Sequence, residues 1–290
     1  MSAAQEIRDL LAAGTTINMP GVYDTLSSRI AAEAGFEVMF ISGYSVSAAR
    51  LGTPDFGYLT QPEIADVARG VCANSGGCPV IVDADTGYGN ALNTIRTARM
   101  LHAAGAAGIF LEDQEWPKKC GHFAGKRVVP KADWLAKLQA VIDLREEGID
   151  LFLVARTDAR AAESIDEAIE RANAARELGV DAIFVEAPQS EDELRRISAE
   201  VPGTVRVANM IEGGRTPLYT PSELHDVGYD LIVTPLTGLF AATKALREAF
   251  AVLRESGTLR DEMDRVVSFG EFEEVVDLDS HTALEERYES

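Results

Sequence analysis

A repeated phrase runs along the chain, in which a helical pattern ends, a glycine follows, and a short apolar run comes next. It is read in AAEAGFEVMFISG, LHAAGAAGIFLED, ARELGVDAIFVEA and LHDVGYDLIVTPL, and again in REEGIDLFLVARTD around Gly148. Each reads as a helix, a C-terminal glycine and a buried strand. CPVIVDAD, VRVANM and the early TTINMPG add further strands without quite that lead-in. The strands fall near 15–20, 38–43, 79–85, 108–113, 151–158, 182–187, 205–210 and 231–236, which makes eight. They are apolar throughout instead of alternating, as parallel strands covered on both faces should be. Between them lie patterns such as QPEIADVARGVCA, ADWLAKLQAVIDLREE and SIDEAIERANAARELG, with apolar positions every three or four residues.

Eight strand-helix units in succession predict an α/β fold, a closed (β/α)8 barrel, over residues 1–257. An open doubly wound sheet would have fewer strands and a phosphate-binding glycine fingerprint after the first. The nearest such stretch, GYGNAL from Gly87 to Leu92, follows the third strand and lacks a third glycine, so it reads as a tight strand-to-helix turn. An eighth helix is expected over about 238–256. Residues 258–290 form a separate acidic tail with Phe269, Phe272, Val275, Val276 and Leu278 at helical intervals, expected to pack on the barrel bottom or on a neighbouring subunit.

Composition narrows the function. Of 290 residues, 46% are hydrophobic and 26% charged, ordinary for a globular protein with a large core. No run is long and apolar enough to span a bilayer, and MSAAQEIRDLLAAG lacks the basic end and apolar stretch of a signal peptide, so a cytoplasmic location is expected. Lys and Arg number 27 against 47 Asp and Glu, a formal charge of -20 that argues against binding nucleic acid or an anionic membrane. Cys72, Cys78 and Cys120 make neither a disulfide framework nor a zinc pattern with the four histidines. Cys72 and Cys78 sit where small buried residues are common, and only Cys120 lies in a polar loop.

Barrel enzymes place their chemistry on the loops after the strands. There this chain carries Ser42 and Gly43, Asp83 and Asp85, Glu112 and Asp113, Arg156 and Asp158, Glu186 and Asn209, with Asp55 in the second loop. Asp83 and Asp85, two apart on a strand, should share a face, and paired carboxylates need a cation or a proton. Mg2+ suits them, because it needs one or two direct carboxylates and keeps waters that Asp55 and Glu112 can hold; a solvated turn would explain DAD as well. Arg156 closes an apolar strand and has the fork for a substrate carboxylate, or pairs structurally with Glu186 or Asp158. Asn209 offers an amide donor to a developing oxyanion, or is a buried structural amide. The longest rim connection, QEWPKKCGHFAGKRVVPK, is rich in Gly, Pro and Lys like a lid. In it Lys118, Lys119 and His122 flank Cys120, and positive neighbours make a thiol a competent proton donor or acceptor.

These residues resemble the isocitrate lyase/phosphoenolpyruvate mutase superfamily from about Ile17 to the end of the chain. The resemblance runs through SGYSVSAARLGTPDFG, VDADTGYGNALN, LEDQEWPKKCGH, VARTDAR, VEAP, ANMIEGGRTPL and TPLTGLFAATKALRE. KKCGH with DAD and EDQ points to the lyase branch. Within it the chain is most similar to petal death protein-like 2-alkylmalate lyases and oxaloacetate hydrolases, then to 2-methylisocitrate lyases, which tend to carry glycine where Tyr44 stands. The resemblance implies a TIM barrel whose eighth helix is swapped between subunits, a homodimer or homotetramer, and Mg2+ or Mn2+ held by Asp85, with Asp83, Asp55 and Glu112 acting partly through water. It implies that Ser42, Gly43, Tyr44, Gly121, Arg156, Glu186 and Asn209 hold a small dicarboxylate or tricarboxylate. The expected reaction is retro-Claisen cleavage of a 2-hydroxy dicarboxylate to a 2-oxo acid and a carboxylate, with Cys120 as proton donor. The nearest rival is oxaloacetate hydrolysis, for which the family has a serine where Thr237 stands. Decarboxylase or phosphonomutase chemistry comes next, and a non-catalytic dicarboxylate-binding barrel last.

Overall fold

The computed structural model describes residues 2–119 and 125–289. In chain order the elements are α1 (Ala3–Ala12), β1 (Ile17–Val22), α2 (Thr25–Glu33), β2 (Met39–Ile41), α3 (Gly43–Val46) running into a π-turn, α4 (Gln61–Ala73), β3 (Val80–Asp83), α5 (Ala91–Ala103) and β4 (Gly108–Glu112). There follow α6 (Lys131–Asp143), β5 (Phe152–Thr157), α7 (Ala159–Ala162), α8 (Ile165–Leu178), β6 (Ala182–Val185), α9 (Glu191–Glu200), β7 (Val205–Asn209), α10 (Pro221–Asp226), β8 (Leu231–Thr234), α11 (Thr237–Ser256), α12 (Phe269–Val275) and α13 (Leu278–Tyr288). All eight strands are parallel, and β1 pairs with β8 from Ile17 opposite Leu231, closing the predicted barrel.

The strands are apolar throughout because alternate residues enter two separate cores. Ile109 and Leu111 of β4, Leu153 and Ala155 of β5, and Ile183 of β6 pack outward among the helices. Phe110, Phe152, Val154 and Phe184 form the inner cluster with Met19, Phe40, Ile81, Val207 and Val233. Ring centroids of Phe110 lie 4.7 Å from Phe40 and 5.7 Å from Phe184, so one aromatic layer fills the middle of the barrel.

The opposite end is closed by α1, an element the sequence pattern did not single out. Its Ala4 and Ile7 join Ile17, Val38 and Ala107, residues at or just before the starts of strands, in the inner cluster. Arg8 ties the helix down, donating to Asp181 at 2.7 Å and to Asp150 at 2.8 and 3.0 Å. Cys72 and Cys78 are half-buried, and burial pushes both thiols up to about 11, in keeping with inert packing residues.

The chain divides after Thr237 into a barrel unit and a second unit from Gly238 to Ser290, so the helix after β8 groups with the tail. In the second unit α11, α12 and α13 contain no buried residue, and Phe240, Leu246, Phe250 and Leu253 of α11 are exposed. No helix among the described residues is long and apolar enough to cross a membrane.

Gly21 of β1 marks the closest approach of backbone to backbone near the barrel mouth. A Cβ there would lie 2.0 Å from the Pro235 carbonyl oxygen and 2.5 Å from its Cα. Since β1 and β8 are hydrogen-bonded neighbours, neither can retreat cheaply. Gly21→Ala is expected to cost about 1–3 kcal/mol or more, read as a lowered urea midpoint at unchanged slope.

Candidate active site at the barrel mouth

The two-residue period of the strands carries polar groups to the mouth. Ser42 stands two residues beyond Phe40, Asp83 beyond Ile81, Glu112 beyond Phe110, Arg156 beyond Val154, Glu186 beyond Phe184 and Asn209 beyond Val207, all in phase with the inner cluster. All but Glu112 line a cavity over the aromatic layer, partly open to solvent, whose walls also include Tyr44, Asp55, Ile211, Pro235 and Leu236.

Asp85 arrives differently. The strand ends at Asp83, and Asp85 sits in the following turn with φ of 48°, so a left-handed residue, not strand alternation, brings the two carboxylates together. The turn is stabilised from both sides. Asp83 Oδ1 accepts from the Asp85 amide at 3.0 Å, and Lys137 of α6 donates to the Thr86 carbonyl at 2.9 Å. The expected strand-to-helix turn at Gly87–Leu92 is present, and Asn90 caps α5 by accepting from the Leu92 and Asn93 amides. Gly43 leaves room for the pair, since a Cβ there would lie 2.8 Å from Asp83 Oδ2.

Lys118 reaches into these acids. Its Nζ lies 2.8 Å from both Asp55 oxygens and 2.6 Å from Asp85 Oδ1, the last without hydrogen-bond alignment. Burial would lower the ammonium's pKa, but Asp85, Asp55, Asp83 and Glu112 outweigh it and hold it well above the usual range. Asp85 is pushed up to about 7 by burial, with Asp83 and Asp55 adding to the rise and Lys118 opposing it. Burial likewise raises Glu112, against the pull of Arg156, and neither Glu112 oxygen has an aligned hydrogen-bond donor among the described residues.

Arg156 spans the other half of the mouth. Its guanidinium donates to Asp158 at 3.0 and 3.3 Å, stands 3.2 Å from Glu112 and 3.3 Å from Glu186, and lies 5.5 Å from the Phe184 ring centroid. Lys126 donates to Asp158 at 2.6 Å, and Arg156 and Lys126 overcome burial to hold that carboxyl down at about 2. Asn209 Nδ2 donates to Glu186 at 3.3 and 3.4 Å, while its Oδ1 has no donor among the described residues. Behind the rim, Asp113 accepts from Thr157 at 2.6 Å, the Asp158 amide at 2.8 Å and Arg171 at 3.2 Å, which fixes the turn after β5.

Six buried carboxylates (Asp55, Asp83, Asp85, Glu112, Asp158 and Glu186) therefore face three buried cations (Lys118, Lys126 and Arg156) among the described residues. Such an excess is costly unless protons or a cation balance it. Among the described residues no three of His, Cys, Asp or Glu are grouped to wrap a metal unaided. That donor set suits Mg2+, a hard ion content with one or two carboxylates and its own waters, and it does not suit zinc.

Most of the sequence-predicted residues come together here. Ser42 is buried at the mouth and accepts from the Ser45 amide at 3.3 Å, with Gly43 next to it and Tyr44 on the cavity wall. Cys120, Gly121 and His122 lie outside the described residues. Lys118, which flanks Cys120 in the sequence, has its ammonium among the acids. Thr237 is exposed and hydrogen-bonded to Glu212, while its neighbours Pro235 and Leu236 line the cavity. Arg156 pairs with both Glu186 and Asp158, and Asn209 donates to Glu186. Three residues were missed. Lys126 looked like one more base in a basic loop. Gln114 clamps that loop, donating to the Lys119 carbonyl at 2.8 Å and accepting from its amide at 3.0 Å. Tyr88, at φ 59°, buries its hydroxyl next to the acids, and burial and Asp85 push that hydroxyl well above its usual range.

Known proteins share this architecture. Residues 7–254 match the phosphoenolpyruvate phosphomutase family. The chain belongs to the phosphoenolpyruvate mutase/isocitrate lyase superfamily. It is 53% identical over 93% of its length, and 80% of the relative's, to a protein of Arabidopsis thaliana called carboxyvinyl-carboxyphosphonate phosphorylmutase, chloroplastic. It is 41% identical, over 99% of both chains, to 2,3-dimethylmalate lyase of Eubacterium barkeri. The structure of oxaloacetate acetylhydrolase in complex with the inhibitor 3,3-difluorooxalacetate superposes with a TM-score of 0.93 at 33% identity, covering 98% of this chain and 96% of the other. The superfamily resemblance, the barrel and the expectation of a carbon–carbon lyase are borne out at this level.

The role of Arg156 as the hub of its half of the site is open to a direct check. Arg156→Met leaves Glu112, Asp158 and Glu186 without their shared counter-charge and should lose about 3–5 kcal/mol of stability in urea unfolding. Arg156→Lys, which keeps the charge without the fork, should lose clearly less. Equal losses would contradict the charge-hub account.

Proposed function

We propose that the chain is a Mg2+-dependent lyase that cleaves a small 2-alkylmalate-type 2-hydroxy dicarboxylate, such as 2,3-dimethylmalate, to a 2-oxo acid and a carboxylate. The observation that carries this reading is the excess of buried carboxylate at the barrel mouth, where Asp83 and Asp55, with Asp85 beside them, share an aromatic-floored cavity with Arg156, Glu186 and Asn209. Asp85, Asp83, Asp55 and Glu112 are the residues that would hold the metal, directly or through its waters. When bound, Mg2+ supplies positive charge to the 2-hydroxyl and adjacent carboxylate oxygens of the substrate.

The substrate hydroxyl gives its proton to a general base, its carbon becomes the carbonyl of the 2-oxo acid, and the neighbouring carbon–carbon bond breaks with its electron pair going to the second carboxylate fragment. Arg156 and Asn209 stabilise the negative charge on that fragment, and Glu186, held by both, orients them. Cys120 then delivers the proton that completes the carboxylate product. Ser42 and the backbone at Gly43 and Tyr44 bind the substrate carboxylate at the start of α3. Ile211, Pro235 and Leu236 give the cavity an apolar wall for an alkyl substituent, which supports an alkylmalate over oxaloacetate. The exposed apolar side chains of α11 support an oligomer in which that helix packs on another copy.

The test is a panel of 2,3-dimethylmalate, other 2-alkylmalates, 2-methylisocitrate, oxaloacetate and a phosphonopyruvate, assayed for 2-oxo acid, oxalate and pyruvate. Release of 2-oxo acid from an alkylmalate should vanish on chelation, return with Mg2+, and fall about 100-fold to 10,000-fold in Cys120→Ser. Oxalate from oxaloacetate as the preferred reaction would move the protein to the hydrolases, and turnover of the phosphonate to the mutases.

A further inference from the structure

Lys118 lies two residues after Trp116, far from the acids in sequence, yet its side chain is 2% exposed and its ammonium is seated between Asp55 and Asp85. A buried ammonium needs that much negative charge around it, and the acids need a cation in turn. Even with Arg156 and Lys126, however, that ammonium leaves the six-acid cluster short of positive charge, and it occupies the very carboxylate best placed to ligate a divalent ion. Two cations drawn to one carboxylate repel each other at close range.

We infer that Lys118 is the resident counter-cation of the metal-free site, a positioning residue that gives up Asp85 when the divalent ion binds and thereby weakens metal affinity. The inference rests on the metal reading above. It sets a reciprocal coupling. Whatever Lys118 contributes to the stability of the metal-free protein is withheld from metal binding, and the ion in turn loosens the hold of Lys118 on Asp85 while Asp55 keeps it nearby. Lys126 provides an internal contrast, because its 2.6 Å pair with Asp158 is made to the acid on the far side of Arg156.

The experiment titrates chelated full-length protein with Mn2+, following the signal of free aqueous Mn2+ by electron paramagnetic resonance, with a thermal melt at each end of the titration. Lys118→Gln should bind Mn2+ about tenfold more tightly than the wild type, within the range usual for a coupling of this kind. Its melting temperature should fall without metal and recover when metal is saturating, giving a larger metal-induced shift. Lys118→Arg, which keeps the charge, should bind Mn2+ no more tightly than the wild type, and so should Lys126→Gln. Should Lys118→Gln not fold when chelated yet fold with Mn2+, the inference is supported in its strongest form. Equal or weaker Mn2+ binding by Lys118→Gln overturns it while leaving the metal reading intact. Absence of Mn2+ binding by the wild type overturns both.

Discussion

The site depends on one electrostatic constraint, the gathering, among the described residues, of six buried carboxylates around three buried cations at the barrel mouth. Burial of that kind gives little stability, because desolvation consumes most of the attraction between the charges. The fold holds it by making every group answer to several others. Arg156 reaches three acids, Lys118 two, and Asp158 is shared by Arg156 and Lys126. A surplus of negative charge held this firmly is a standing demand for a cation, and the chemistry proposed for the protein follows from meeting it at the mouth of the barrel.

The barrel supplies the rigidity. Each inner strand position below the mouth is filled by a large apolar side chain, so the polar residue two positions later can point only upward over the aromatic layer. At the other end α1 closes the inner core with Ile7 and is held by Arg8 to Asp150 and Asp181. Substrate-side and metal-side groups are thus fixed by packing at their roots, which is what positioning by a few tenths of an ångström requires.

Much of this was legible in the sequence. Eight apolar runs, five of them led by a glycine, specified the strands, and the polar residues that end six of them were already in phase with the inner face, as Glu112 after Phe110 and Glu186 after Phe184 show. What was hidden has physical causes. The convergence of Asp83 and Asp85 comes from a left-handed residue in a turn, which strand periodicity does not describe. Lys118 and Lys126 act through long side chains whose acidic partners lie 63 and 32 residues away, and nothing local distinguishes them from solvated lysines. The sequence pattern does not single out α1, because the barrel end that it covers is built from residues distant in the chain.

The central claim is that the charge deficit around Asp85 is filled by a divalent ion. Its most direct test is a crystal structure of the protein grown with Mn2+ and oxalate, a small dianion that mimics a 2-oxo carboxylate, with anomalous differences collected at the manganese edge. The account predicts one strong peak at the barrel mouth, with Asp85 as a direct ligand and Asp83, Asp55 or Glu112 reached through water. A mouth without an anomalous peak, its acids still balanced by Lys118 and Arg156 alone, would contradict it.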